Sequence, residues 1–383
     1  MCHWTLFTLG LCLSFIANSC AWEHVSGDEA QAIIGKNGVV AVAYIRHTSE
    51  ISGNLEPEWS SAATEARVLL ISVDCSASPN ICTSYGVSSH TTVKLFLRDK
   101  EPSVYAGPRR ASAIFAWVER MQRPVVTEIG IKELDDFKNL DEAVFIAYLD
   151  ADDEASKATF AEVASQFKTE FTFGLTTDAG VLQSEAATPP FVQCYKPRDG
   201  DTHHLASFVD ADGLDKFVRE ASRPVIGELL SYNHQRFLDR GWPMVYVFAR
   251  TETERAQIRD SLHNMARSYY ESLTMVTVDP LDFPDLPARL GLEPGVFPAG
   301  AVHQLSTDMI YPYPKGQDIT PRELQGWGLD VWQGRVKPWM PPGATKSDDR
   351  GGFAGRIQAT HKISMRNLNI PGVNIRVGGH NEL

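Results

Sequence analysis

The chain has 383 residues, a formal net charge of −12, 43% hydrophobic residues and 22% charged ones. That length exceeds what one compact core organises and predicts two or three domains, and the apolar share excludes disorder of the chain as a whole. The acidic balance repels phosphate backbones, so no nucleic-acid partner is expected through a broad basic face.

Trp4 to Ala17 form a short apolar run followed by the small residues Ser19 and Ala21. This pattern predicts a signal peptide over residues 1–21, shorter than a bilayer span, with an uncleaved anchor as the alternative because the positive flank is only the amino terminus and His3. Three cysteines, Cys2, Cys12 and Cys20, fall in that leader, which leaves Cys75, Cys82 and Cys194 for the mature chain. Cys75 and Cys82 enclose a turn-prone insert with Pro79 and Asn80, compatible with a structural disulfide in an oxidising compartment or with two independent thiols. Cys194, among Phe191, Val192 and Tyr195, reads as a buried apolar residue.

After the leader, Ser26 and Glu29 predict a helix start. Val39 to Ile45 is continuously apolar, as a strand covered on both faces must be. A helix over Pro57 to Arg67 follows, then strands Val68 to Asp74 and Thr92 to Arg98, and a helix from Ala111 to Arg120. A second unit repeats the alternation with strands Ala143 to Leu149, Phe171 to Leu175 and Phe191 to Tyr195, and helices from about Asp153 and over Leu214 to Ala221. A third has strands Met244 to Phe248, Leu273 to Val278 and Ala299 to His303, with a long helix over Glu252 to Tyr270. Arg123-Pro124 and Arg223-Pro224 mark the joins, because a residue before proline is pushed out of the helical region. The organisation is therefore α/β, three consecutive units over 22–122, 123–222 and 223–337. The Gly- and Pro-rich residues 338–383 read as a flexible tail.

No glycine-rich phosphate loop opens a helix, so neither nucleotide nor other cofactor is expected. His203-His204 sits in a predicted polar turn without further ligands at metal spacing, and no metal site is expected. His47, His90, Ser49, Ser52 and Glu50 fall near one another in such a fold, but no nucleophile elbow surrounds either serine.

The stretch VDCSASPNICTSYGVSSHTTVKLFLRD with Tyr105-Ala106-Gly107-Pro108-Arg109 resembles the first thioredoxin domain of protein disulfide isomerase. Phe297-Pro298-Ala299-Gly300-Ala301-Val302 with Tyr311-Pro312-Tyr313 resembles that family's third, substrate-binding domain. The resemblance covers about residues 25 to 340 and implies three consecutive thioredoxin-like domains. It also implies that Cys75 and Cys82 match a second cysteine pair of fungal members, and that Pro190 and Pro298 are candidates for cis bonds.

The family's Cys-x-x-Cys aligns with Ser49-Glu50-Ile51-Ser52, so both sulfurs are replaced by hydroxyls that cannot form mixed disulfides. Ala43 stands at the buried glutamate, Thr48 at the tryptophan before the motif and Thr91 at the cis-proline. Arg109 holds the place of a mobile arginine and, with no thiol to tune, reads as a surface charge. No second Cys-x-x-Cys follows Gly334 to Trp339, and the chain ends His380-Asn381-Glu382-Leu383, similar to an HDEL retrieval signal.

The expected function is that of a redox-inactive folding helper of the endoplasmic reticulum lumen. It would bind unfolded or partially folded secretory proteins through an apolar cleft at Phe237, Leu286 and Leu290 under Trp339, and a retrieval receptor through the carboxyl terminus. Its alternative is a thiol-disulfide oxidoreductase acting weakly through Cys75 and Cys82.

Overall fold

The apolar runs become the central strands of three mixed sheets in a computed structural model that describes residues 24–184, 188–208 and 210–341. In the first unit the order is α1 (Gly27–Lys36), β1 (Val39–Ile45), α2 (Glu50–Glu65), β2 (Leu69–Asp74), α3 (Pro79–Ser84), β3 (Thr92–Leu97), β4 (Ser103–Val104) and α4 (Ala111–Gln122). Strand β1 pairs parallel with β2 and antiparallel with β3, giving the sheet β2-β1-β3-β4. Successive side chains of a strand point to opposite faces. Val40, Val42 and Tyr44 accordingly pack with Ala30 of α1, Cys75 and Cys82, while Ala41, Ala43 and Ile45 pack with Leu55 and Trp59 of α2 and Ile114 and Trp117 of α4.

The second unit runs β5 (Thr127–Glu128), α5 (Leu134–Lys138), β6 (Val144–Tyr148), α6 (Glu154–Phe167), β7 (Thr172–Thr176), α7 (Ala179–Ser184), β8 (Phe191–Lys196), β9 (Asp201–Leu205) and α8 (Ala211–Ala221). The third runs β10 (Gly227–Glu228), α9 (His234–Leu238), β11 (Met244–Phe248), α10 (Glu252–Ser268), β12 (Thr274–Val278), α11 (Leu286–Arg289), β13 (Ala299–Gln304), β14 (Met309–Pro312) and α12 (Pro321–Trp332). Their sheets, β5-β7-β6-β8-β9 and β10-β12-β11-β13-β14, repeat the parallel and antiparallel pattern of the first around β6 and β11. Each unit is thus a mixed sheet with helices on both faces, the α/β class expected.

Two local readings change. Helix α2 begins at Glu50, so Pro57 lies inside it rather than at its start. The loss of one backbone donor at Pro57 is outweighed by the face that Leu55, Trp59 and Ala62 bury against β1 and α4. His203 and His204 lie in strand β9, paired with β8, instead of a turn. Helix α10 carries a full capping box at Thr251 and Glu254, which the sequence reading passed over.

The described residues up to Met340 form one compact unit, and buried ion pairs tie its sheets together. Arg110, at the N-cap of α4, donates from Nε to Glu228 at 2.8 Å and pairs through Nη2 with Glu142 at 2.5 Å, so one guanidinium joins all three units. Arg259 of α10 reaches the other Glu228 oxygen at 2.9 Å and also binds Glu252. Arg255 links Glu252 to Asp279. Arg109 closes this chain of charges, at 3.1 Å from Asp279 and 2.8 Å from Asp282. It is an inter-unit contact and not the surface charge expected, because two carboxylates of the third unit stand over it.

Burial alone would raise the Glu228 carboxyl, but Arg110 and then Arg259 outweigh it and hold it well below the usual carboxylate range. Glu252 moves the other way. Burial, joined by repulsion from Glu228, pushes it up to about 7 against the pull of Arg259 and Arg255. A carboxyl raised on folding binds its proton more tightly in the native state, so its contribution to stability declines as pH rises from the unfolded value of about 4.3 towards 7. The unfolding free energy of wild type minus that of Glu252→Gln, from urea titrations at stepped pH, should therefore fall between about pH 5 and pH 7. A flat or rising difference contradicts the assignment.

Candidate functional site

The amino-terminal end of α2 is the place where the sequence aligns with a thiol motif, and hydroxyls occupy it. Ser49 is the N-cap of α2, without a side-chain capping bond, and Glu50 is exposed in the first turn. Ser52 is 1% exposed. Its Oγ accepts the Arg46 N–H at 3.3 Å and lies 2.8 Å from Thr91 Oγ1 across the strand-to-helix corner. Thr91 follows a cis peptide bond with His90, immediately before β3. Ala43 is fully buried in β1, a methyl in the core with nothing to accept or donate a proton.

Beside this corner, His47 and Asp74 are engaged with each other. His47 Nδ1 lies 2.7 Å from Asp74 Oδ2 on the exposed side. Burial would raise Asp74, but the Ser76 N–H and His47 outweigh it and leave the carboxyl below its ordinary range. His90 is lowered by burial and then by Arg46, so it favours the neutral imidazole. These groups offer hydrogen bonds without a sulfur nucleophile, and no cluster of three or more His, Cys, Asp or Glu that could hold a metal occurs among the described residues.

Cys75 and Cys82 are joined, with Cα atoms 5.9 Å apart. Both are buried beneath α1. Cys194 is fully buried and burial pushes its thiol up to about 12, which removes it from thiolate chemistry near neutral pH. The bonds preceding Pro190 and Pro298 are cis.

In the third unit Phe237, Leu286 and Leu290 pack together against Met244, Tyr246 and Phe248 of β11. All three are buried. Trp339 lies against the edge of the same unit. Its N–H donates to the Ile310 carbonyl at 2.7 Å, adding a bridge beside β14, and its indole rests on Gly291. A Cβ at Gly291 would fall 2.6 Å from that ring, and φ of +71° there also favours glycine. The leader over 1–21 and the terminal His380, Asn381, Glu382 and Leu383 lie outside the described residues.

Comparison with known proteins agrees with this arrangement. The thioredoxin family model matches residues 25–120, and a thioredoxin-like domain model matches 149–328. The protein disulfide-isomerase of Humicola insolens is 28% identical over 336 residues, 87% of this chain and 66% of that protein. That of Aspergillus niger is 25% identical over 340 residues, 88% of this chain and 66% of the relative. The chain is similar to the protein disulfide-isomerases over most of its own length. It spans about two thirds of the length of these two isomerases, 66% in each case. Among solved structures, human ERp44 form II aligns over 82% of this chain and 88% of its own, at 18% identity and a TM-score of 0.38.

Sequence reasoning placed Ser52 and Thr91 at one corner of the isomerase fold, and the structure brings them into contact. It missed Arg110 and Glu228. A signal was available only in part, since Arg110 sits between the resemblance-bearing Pro108-Arg109 and the helix that follows, while its partner is 118 positions away.

The buried Ser52 hydroxyl is hydrogen-bonded to two neighbours. Ser52→Ala should cost about 1–2 kcal/mol in urea unfolding, because the Arg46 N–H and the Thr91 hydroxyl lose their partner. A change within about 0.5 kcal/mol, the ordinary range for surface positions, would show that the corner does not depend on this bond.

Proposed function

We propose that this disulfide-isomerase relative is a redox-inactive folding helper that holds unfolded or partially folded secretory chains by apolar contact. The observation that carries the reading is the Ser52–Thr91 hydroxyl pair, 2.8 Å apart, at the corner where an exchange enzyme needs a thiolate. A serine hydroxyl is barely ionised at neutral pH and cannot form a mixed disulfide, whatever the helix amino terminus supplies.

Binding is assigned to the third unit. Phe237, Leu286 and Leu290, buried against β11, would form its apolar floor once exposed. Trp339 rests at the neighbouring Gly291 on a segment held to β14 by a single bridge. On this proposal Trp339 acts as a cover over the floor, held by few contacts and cheap to displace. Once it moves, the floor offers contact that needs no particular client sequence. A leader over 1–21 and the HNEL terminus suit the endoplasmic reticulum lumen, where a retrieval receptor would read the terminus, and the Cys75–Cys82 bond suits an oxidising compartment.

Weak thiol exchange through Cys75 and Cys82 is the second reading. Against it, the two sulfurs are only 6% and 3% exposed and sit away from the amino terminus of α2 that would activate a thiolate.

Purified mature chain should show no insulin disulfide reduction above the reductant alone, and should suppress aggregation of a reduced, denatured client. Trp339→Ala should strengthen that suppression by uncovering the floor. Robust reduction that disappears in Cys75→Ser/Cys82→Ser would overturn the proposal, as would failure to suppress aggregation in both wild type and Trp339→Ala.

A further inference from the structure

A cavity of about 590 Å³ lies where the three units meet. That volume is in the range of small-molecule sites, which occur preferentially between domains. Two of the large apolar side chains that stay exposed, Val104 at 55% and Tyr232 at 44%, open onto it. Val104 comes from β4 of the first unit and Tyr232 from the third. Ala106, Phe171 and Leu230, none of them fully buried, line the same wall. Single exposed apolar residues scattered over a surface are ordinary, but two that converge on one concavity are not.

Tyr232 sits inside the recess rather than on a convex surface. Nearly half of the residue is open, yet burial pushes its hydroxyl up to about 12. The Tyr105 hydroxyl, on the same wall, is spent on the Pro108 carbonyl at 2.7 Å, whereas that of Tyr232 has no partner among the described residues.

The charged groups of the wall are engaged elsewhere. Arg110 is held by Glu142 and Glu228, Arg120 by Asp141, and Arg236 by Glu170 at 3.0 Å. Arg223 and Arg240 lay their guanidinium planes on Tyr270 and Trp242, rings that do not line the cavity. Freeing one member of a buried pair for an ionic ligand would strand the charge of the other. The wall therefore offers apolar contact, the ring faces of Tyr232 and Phe171, and a neutral donor and acceptor at the Tyr232 hydroxyl. We propose that the cavity binds an uncharged aromatic small molecule, its apolar body against Val104 and Tyr232 and a neutral polar group on the Tyr232 hydroxyl.

Fluorescence titration of the full chain with neutral N-phenyl-1-naphthylamine and, separately, with the anionic 8-anilinonaphthalene-1-sulfonate tests this. The neutral probe should bind saturably and at least about threefold more tightly than the sulfonate. Val104→Ser/Tyr232→Ser, both at exposed positions, should weaken it at least about fivefold, and Tyr232→Phe about two- to threefold. The proposal fails if the neutral probe does not saturate, if the sulfonate binds as tightly, or if the double variant keeps wild-type circular dichroism and wild-type affinity. Should the double variant not fold, unchanged affinity in Tyr232→Phe overturns it.

Discussion

The arrangement of the whole chain depends on one buried ion pair, Arg110 with Glu228. A guanidinium and a carboxylate taken out of water lose hydration worth several kcal/mol each, and recover it only when every lone pair and N–H is placed. Here partners are distributed among units: Glu142 from the second and Glu228 from the third on Arg110, and Arg259 on the far oxygen of Glu228. Three sheets that could each bury a core alone are thereby given a fixed mutual register. The central cavity, with Arg223 and Arg240 on its wall, exists because of that register.

The same closure bears on the corner of the first unit that holds Ser52 and Thr91. Arg109, at the position where the resemblance sets a mobile arginine, is engaged by Asp279 and Asp282. The corner it would serve retains a helix amino terminus and a cis bond opposite, but Ser52 and Thr91 bond to each other there. The framework of an exchange site survives as packing.

Much of the fold was legible because central strands covered on both faces must be apolar throughout, as in Val39–Ile45 and Met244–Phe248. Pro57 misled the reading of α2, since proline is commoner at a helix start and only tertiary burial of Leu55 and Trp59 explains it inside one. The Ser52–Thr91 contact was readable through family alignment. The ionic hub was not. Arg110 and Glu228 look like ordinary surface residues in sequence, and nothing local tells that a residue 118 positions away will bury them together. Arg223 was read only as the residue before a proline, because stacking on Trp242 and Tyr270 appears once the units are docked.

The most direct test of this account is a double-mutant cycle on Arg110→Ala and Glu228→Gln, read by urea unfolding. Residues joined by a desolvated ion pair between units should couple by at least about 1.5 kcal/mol. Effects that add to within about 0.5 kcal/mol would mean that the two side chains do not hold the units together, and the account of one body built around them would be wrong.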